Sequence, residues 1–562
     1  MAEQNAGGPP EPVVLPIPPD FPVTWGYPKE QEAPWEFDPM HFPDPFPLLE
    51  AEFLLPIFEK GMSPGFASYE LPVQALGHVF NNYIYMAMVP AVPLEEMEAQ
   101  GKRAEENLGA TIARLQERWH EEWLPAIKTH LAFWESFDLE NAALPDLLTH
   151  FDASLEHSND LWNIHFQIVT PVYTAMGLLD EIYRELFEDE NVFASYQLLE
   201  GFDNKTIETN RALWDLSRSA AQTDAVRAIL ANNASDAVLA ALQESAEGQV
   251  FLQELRAFLA EYGQRGPTWS LSQPSWIEDP TPAIKNLQDY IDQPEADPRV
   301  QQATLVGERE QAVTTARHRL AGYPEQAVGQ FEFLLKAAQA AIVLTEDHGF
   351  WIDFKAMYKV RRVLVEVGQR FVAAGALENA NDVFYLNTDE VHQAAAALPQ
   401  GDLRALVDQR KAELEHNRSL TPPHRLGTDY GPPPDSPLSR SFGKFFGLPI
   451  EPQEDQSLLK GNAGSPGKVQ GPAKVVRSLA EAEKLTQGDI LVADTTSPPW
   501  TPLFSTAAAI VTDTGGILSH CAVVAREYRI PAVVGTGTAT STLKDGQILE
   551  VDGDNGIVKI VG

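Results

Sequence analysis

The sequence predicts a multidomain fold, a large mostly α body followed by a small α/β domain. Two observations carry that reading. Between residues 49 and 417 apolar side chains recur three and four apart, as in Leu108-Ile112-Leu115-Trp119-Trp123, on a background of Ala, Leu, Glu and Gln. That spacing places them on one face of an α-helix. From residue 458 the texture changes to short apolar runs broken by glycine, the pattern of strands and tight turns. Charge changes at the same place. The chain carries −39 at pH 7, but residues 458–562 hold nine Lys/Arg against ten Asp/Glu, so nearly all the excess acid precedes them.

Taken in order, residues 1–48 form a proline-rich arm. Prolines fix φ and remove amide donors, which excludes helix there. Trp25, Tyr27, Trp35, Phe37 and Phe42 imply an arm pinned to a body rather than a free tail. Residues 49–417 read as the helical body, in two lobes around the breaks Tyr262–Pro267 and Pro274–Pro280, with little strand-like alternation. Residues 418–457 contain Pro422-Pro423, Pro432-Pro433-Pro434 and Ser436-Pro437, a semi-rigid linker by composition. In residues 458–562, Lys468–Val476 reads as a strand pair, Gly488–Ala493 as turn then strand, and Asp545–Gly553 as the start of a hairpin.

Composition excludes several functions. A pI near 4.6 opposes nucleic acid and anionic membranes as partners. No uninterrupted run of about eighteen apolar residues occurs, so no membrane span is expected. The stretch Met1–Pro22 lacks the basic-then-apolar order of a secretion signal. A single cysteine, Cys521, rules out an internal disulfide framework and a cysteine zinc site. The sequence offers no metal centre, and a cytoplasmic location is expected.

Chemistry concentrates in Val511–Glu527. An apolar run enters it, Gly515-Gly516 makes a turn, and Ser519-His520 opens a small-residue helix that leads to the strand-like Ile530–Gly535. An imidazole on the first turn of a helix lies beside free amides and a positive dipole end, a setting for an anion or phosphoryl group. Imidazole, neutral near pH 7 and nucleophilic, can accept and release a phosphoryl group. Gly515 and Gly516 allow close backbone approach. Thr514 and Ser519 can donate to phosphate oxygens, although Ser519 equally suits a helix N-cap. Arg526, six residues on, can pair with phosphate or with acidic neighbours. Cys521 reads as a small apolar residue packing under the helix.

These residues resemble the swivelling phosphohistidine domain of phosphoenolpyruvate-utilising enzymes. The resemblance covers residues 458–562 in order, through Gly464-Ser465-Pro466-Gly467, Gly488-Asp489-Ile490-Leu491-Val492, Thr495 to Pro502, Gly515-Gly516-x-x-Ser519-His520, Ala525-Arg526-Glu527 and Ile530–Gly535. It implies that His520 carries the phosphoryl group between two active sites. The upstream body resembles the substrate-binding region of antibiotic-phosphorylating dikinases and of phenylphosphate-synthase-type proteins. That likeness runs through Trp35-x-x-Asp38-x-x-His41-Phe42-Pro43-x-Pro45, Tyr262-Gly263-x-Arg265-Gly266, Pro274-x-Trp276-x-Glu278-Asp279-Pro280, Arg361-Arg362 and Asp382-Val383-Phe384-Tyr385-Leu386. The chain shows neither the ATP-grasp module nor the phosphoenolpyruvate-binding barrel of such enzymes. The resemblance therefore implies a dikinase-type phosphotransferase in a heteromeric complex, of the kind used in aromatic compound catabolism. MgATP would sit on a separate ATP-grasp subunit, this chain would bind no cofactor itself, and the acceptor would be a hydroxylated, phenolic or other aromatic molecule. The competing reading is a phosphocarrier or regulatory scaffold with no small-molecule acceptor.

Further candidates lie in the body. Lys355, Lys359, Arg361 and Arg362 cluster on a predicted helix, with 355, 359 and 362 on one face. They suit phosphoryl contact during transfer, or a solvated face paired with Glu346, Asp347 and Glu366. His41, His157, His165 and His348 are candidate bases for an alcohol acceptor, with a structural role the competing reading for each. His120-Glu121-Glu122-Trp123 lacks the second histidine of a zincin motif. Trp119, Trp123, Trp134, Trp162, Phe166 and Trp214 suit an aromatic acceptor pocket, or simply core.

Overall fold

The computed structural model describes residues 12–267, 269–295, 297–447 and 458–561. Residues 1–11 of the expected arm and 448–457 of the expected linker lie outside the described residues. The chain forms two compact units. One comprises residues 1–170, 270–272 and 359–439, the other residues 171–269, 273–358 and 440–562. The α/β domain thus shares a unit with a large part of the helical body.

In the first unit the arm is pinned by a sheet. Strands β1 (Val13–Val14), β2 (Pro34–Phe37), β3 (Val73–Phe80), β4 (Tyr83–Pro90) and β5 (Arg425–Asp429) form an antiparallel sheet in the order β1-β5-β2-β4-β3. Phe21, Trp35, Phe80, Tyr83, Tyr85 and Leu426 bury against one another on it. Trp35 and Phe42 are buried, whereas Tyr27 is exposed. Two expectations are corrected here. The stretch 49–417 contains a β-hairpin, whose turn at Asn81 and Asn82 takes positive φ of 49° and 66°, the left-handed pair that a two-residue hairpin loop requires. Its strands have apolar residues on both faces, so alternation does not stand out in the sequence. The proline-rich stretch 418–457 is also more than a tether, because β5 sits between β1 and β2.

The second unit holds the site. Its sheet runs β6-β13-β12-β8-β9-β10-β11-β7, built from β6 (Leu458–Lys460), β7 (Asn462–Ser465), β8 (Lys468–Val475), β9 (Ile490–Ala493), β10 (Ala509–Thr512), β11 (Ala532–Val534), β12 (Ile548–Asp552) and β13 (Ile557–Ile560). Strands β8, β9, β10 and β11 pair parallel, and the flanking pairs are antiparallel. Lys468–Val476 yields one strand, not the expected pair, because it runs unbroken between β12 and β9. β9, β10 and β11 are buried throughout, so they read as continuous apolar runs, as central parallel strands do.

Helices of the body share this unit with that sheet. The helix Lys205–Gln222 is capped by Asn204, whose side chain accepts from the amides of Thr206 and Ile207. The helix Glu325–Gly349 continues through a π-helical stretch Phe350–Ala356 into Met357–Ala373. Among the described residues this 325–373 helix is long and apolar enough, by length and composition, to cross a membrane, with a window of mean hydropathy 1.3. Half of that window is buried inside the protein, and the helix also buries Glu346 and His348, as a core helix does. The helix Pro437–Phe446 closes on the residues beyond Pro171 of the helix Leu144–Phe187. Arg440 pairs with Glu181 at 2.7 Å, Lys444 with Asp180 at 2.7 Å, and the Phe445 ring packs at a tilt on Tyr173. Gly177 is small because Ser441 lies where a Cβ would be.

Candidate functional site

β10 delivers the chain to a turn at 513–519 and then to the helix His520–Glu527. Gly515 takes a φ of 105°, a region closed to most side chains. Ser519 is the N-cap, extended at ψ 156°, and its hydroxyl accepts from the Ala522 amide at 3.4 Å. That bond is long, so Ser519→Ala is expected to cost only about 0.5–1 kcal/mol of stability, read as a small fall in the thermal midpoint.

His520 is held at both ring nitrogens. Nδ1 lies 3.3 Å from Oε1 of Glu346, and Nε2 lies 3.2 Å from the hydroxyl of Thr501. The imidazole is 15% exposed and the Glu346 side chain 6%. An ionised carboxylate only accepts, so Nδ1 carries the proton and Nε2 presents its lone pair to the Thr501 O–H. Burial alone pushes the Glu346 carboxyl up. The His520 charge and hydrogen bond, the Thr206 hydroxyl at 2.7 Å and His348 together outweigh it and hold the carboxyl below its ordinary value. Next to it, Asp347 accepts from the Lys205 amide at 2.8 Å, yet burial pushes its carboxyl up to about 6. The start of the 205–222 helix therefore faces two adjacent carboxylates of differing basicity, and Glu346 is the one that meets the imidazole.

Polar contacts hold the helix His520–Glu527 and its sheet onto the helical part of the unit. Ser497 Oγ donates to the Pro267 carbonyl at 2.6 Å, and Thr506 Oγ1 donates to Asp289 at 3.1 Å. Asn210 Nδ2 donates to the Tyr528 hydroxyl at 2.5 Å. Glu527 accepts from the Gly201 amide at 2.9 Å, its main-chain carbonyl accepts from Gln301, and Arg529 pairs with Glu308. Burial pushes the Glu527 carboxyl up to about 7, with Glu200 adding to the effect.

The other sequence candidates fall in differing places. The Thr514 hydroxyl donates to the Asp494 carbonyl, and the Gly516 amide donates to the Phe445 carbonyl at 2.8 Å. A Cβ on Gly516 would meet the Lys444 carbonyl at 2.2 Å. In this arrangement the glycine turn thus seats the helix 437–446, and the close approach it permits is to protein backbone. Arg526 differs from expectation in the same way. It is buried, donates to the Gly464 and Ile517 carbonyls at 2.8 and 2.9 Å, and lies over the Tyr196 ring. Burial pushes the Cys521 thiol up to about 11, which suits packing and not nucleophilic attack.

The four cations of the body are engaged by separate partners. Lys355 sits in the π-helical stretch over the Trp351 ring, in the second unit. The remaining three belong to the first unit. Lys359 pairs with Glu135, and Arg362 lies 3.8 Å from Glu140. Arg361 donates to the Leu271 carbonyl and to Asn381. The π-helical stretch ends at Ala356, so it alters only the spacing of Lys355 from the other three, which lie on the regular α-helix Met357–Ala373.

Of the candidate bases, His41 bonds Asp38 at 2.6 Å, His157 faces His130 at 2.9 Å, His165 packs on Trp162, and His348 bonds the Leu344 carbonyl. Trp119, Trp123, Trp134, Trp162, Phe166 and Trp214 are buried, and Trp214 belongs to a core cluster with Tyr290 and Leu255. Sequence reasoning gave no role to Thr206 or Thr501 and weighed Glu346 only as a surface ion-pair partner.

Two family models match the regions that meet at His520. Residues 165–346 match the rifampicin phosphotransferase fourth domain, and residues 485–556 match the mobile domain of PEP-utilising enzymes. The first match ends on Glu346 and the second contains His520. The chain is 38% identical over 97% of its length to a chondramide synthase of Chondromyces crocatus, covering 14% of that protein. It is 32% identical to the phosphotransferase YvkC of Bacillus subtilis, over 71% of this chain and 47% of that one. It is 30% identical to a rifampicin phosphotransferase of Streptomyces sviceus, over 72% of this chain and 45% of that one. The chain thus spans less than half the length of these relatives. With a phosphotransferase body segment, a PEP-utilising mobile domain and an imidazole where the two meet, the chain is similar to the dikinase-like PEP-utilising phosphotransferases.

Proposed function

We propose that this chain is the acceptor-side component of a dikinase-type phosphotransferase, in which His520 relays a phosphoryl group to a hydroxylated small molecule. The observation that carries the reading is the double grip on the imidazole, Glu346 at Nδ1 and Thr501 at Nε2. With Nδ1 protonated, the phosphoryl group resides on Nε2. On transfer the Nε2–P bond breaks, the electron pair stays on Nε2, a P–O bond forms to the acceptor oxygen, and the acceptor proton leaves to a base. The imidazole departs neutral because the Nδ1 proton stays with it, and the Glu346 carboxylate stabilises the positive charge the ring carries beforehand. Thr501 yields Nε2 to phosphorus, and its hydroxyl becomes a donor to a phosphoryl oxygen.

The phosphoryl donor is MgATP on an ATP-grasp module outside these 562 residues, taken here to be a partner subunit in a cytoplasmic complex. AMP and phosphate are the by-products. A phenolic or other aromatic acceptor is favoured because a phenol, with a pKa near 10, needs less help from a base than an alcohol does. Relatives named as a rifampicin phosphotransferase and a prodigiosin synthesizing transferase support a small-molecule acceptor.

The test combines this chain with candidate ATP-grasp subunits, ATP and a panel of phenols, and follows AMP and aryl phosphate. His520→Ala is expected to abolish aryl phosphate, and formation at the wild-type rate in that variant rules out the relay. Product made without any partner removes the two-subunit arrangement. Phosphohistidine that passes to no acceptor in the panel favours the carrier reading.

A further inference from the structure

We infer that Arg265 is a second catalytic residue of this site, donating from Nε–H to an oxygen of the phosphoryl group carried on His520; the inference rests on the relay just described. Arg265 is 2% exposed. One of its terminal nitrogens donates to the Thr209 hydroxyl at 2.6 Å, and its plane lies over the rings of Phe350 and Phe354 at 5.7 and 5.8 Å. Its Nε is buried without a hydrogen-bond partner among the described residues. A buried guanidinium is costly to leave with an unmade bond, and such a donor in a packed site calls for an anionic partner. Burial pushes this guanidinium down to about 10, against the pull of Glu346, Tyr262 and Glu208.

Geometry sets that donor beside the relay. Arg265 donates to Thr209, one helical turn after Thr206; Thr206 donates to Glu346, and Glu346 grips His520. Two residues after Arg265, the Pro267 carbonyl accepts from Ser497, and Ser497 opens the short turn that ends on Thr501 at Nε2. The loop that carries Arg265 is thus docked on the loop that touches the nitrogen bearing the phosphoryl group. Lys205, 5.3 Å from the centre of the same Phe350 ring, is already paired with Glu208 at 2.7 Å. Arg265 keeps a buried Nε donor that has no partner among the described residues. Phosphoryl transfer passes through a loose state with charge spread over the three peripheral oxygens, and a preorganised guanidinium stabilises it.

The test uses the full chain phosphorylated with phosphoramidate, which needs no partner protein, and water as the acceptor. Phosphohistidine is followed by ³¹P NMR in wild type, Arg265→Met, Arg265→Lys and His520→Ala. The expected result is a resonance that His520→Ala lacks. In Arg265→Met it should be shifted and lose its phosphoryl group at least about tenfold more slowly, with Arg265→Lys in between. Unshifted resonances and wild-type loss rates in both Arg265 variants overturn the assignment while leaving the relay intact. No His520-dependent resonance in wild type overturns the relay and this inference together. Should Arg265→Met fail to fold by circular dichroism, Arg265→Lys decides alone, since it keeps the charge but lacks Nε.

Discussion

Glu346→Gln is expected to slow phosphoryl transfer from His520 by about two orders of magnitude. The amide keeps the size of the carboxylate and can still accept from Nδ1 through its oxygen. It has no charge to stabilise a protonated phosphoimidazole, and its NH2 face can turn toward Nδ1 and favour the wrong tautomer. Glu346 is also fixed by Thr206 at 2.7 Å, so the effect is on the imidazole and not on a mobile side chain. The measurement is a single-turnover chase from phosphorylated His520 into acceptor, against the rate of phosphorylation by phosphoramidate. Only the chase should fall strongly, because Glu346 lies on the helical part of the unit and acts when the carrier helix is seated there. Equal slowing of both rates would show a general folding defect, and unchanged transfer would remove Glu346 from the mechanism. Glu346→Ala should be worse than Glu346→Gln, since Thr206 then loses its acceptor as well.

How much of this was legible in the sequence depends on what holds each residue. The carrier helix was readable because its signals are local: a glycine turn, an N-cap serine and a small-residue run sit side by side, and Ser519 caps the helix that they imply. Glu346 was not readable as a site residue. It lies 174 positions from His520, on a helix face whose spacing reads as ordinary amphipathic pattern, and only packing brings the two together. Arg265 sat within a stretch that resembled the family but carried no chemical signal, since a lone arginine before glycine does not announce that its Nε will be buried without a partner. The lysine and arginine cluster misled for the opposite reason. Its spacing was real, but the side chains are engaged one by one: Lys359 pairs with Glu135, and Arg361, off that face, donates to the Leu271 carbonyl and to Asn381. The arm's sheet escaped because pairing of β2 with β5 links residues nearly four hundred apart, and the 73–90 hairpin because its strands are apolar on both faces.

Raising the pH from 6 to 8 is expected to weaken seating of the carrier helix by about tenfold, through Glu527. In the seated state burial raises this carboxyl to about 7, with the Gly201 amide, Arg526 and Arg309 opposing the rise and Glu200 adding to it. Away from the helical part the group returns to its ordinary value of 4.5. A carboxyl raised on docking favours the docked state fully below that ordinary value, and the contribution is lost as pH climbs through 7. Glu346 has the opposite sign. Its carboxyl is depressed, so its contribution holds above the ordinary carboxylate range and fades only as pH falls through the depressed value. Between pH 6 and 8 Glu346 is therefore constant and Glu527 sets the slope. Fluorescence energy transfer between dyes on exposed engineered cysteines, one on the carrier domain and one on the helical part, reads the seated fraction. Cys521 is buried and stays unlabelled. Glu527→Gln, neutral at every pH, should keep the carrier seated at pH 8 as firmly as wild type at pH 6. A variant that retains the wild-type slope would assign the pH response to another group. Because the Glu527 carboxyl accepts the Gly201 amide, the glutamine preserves that bond, and the comparison isolates charge from contact.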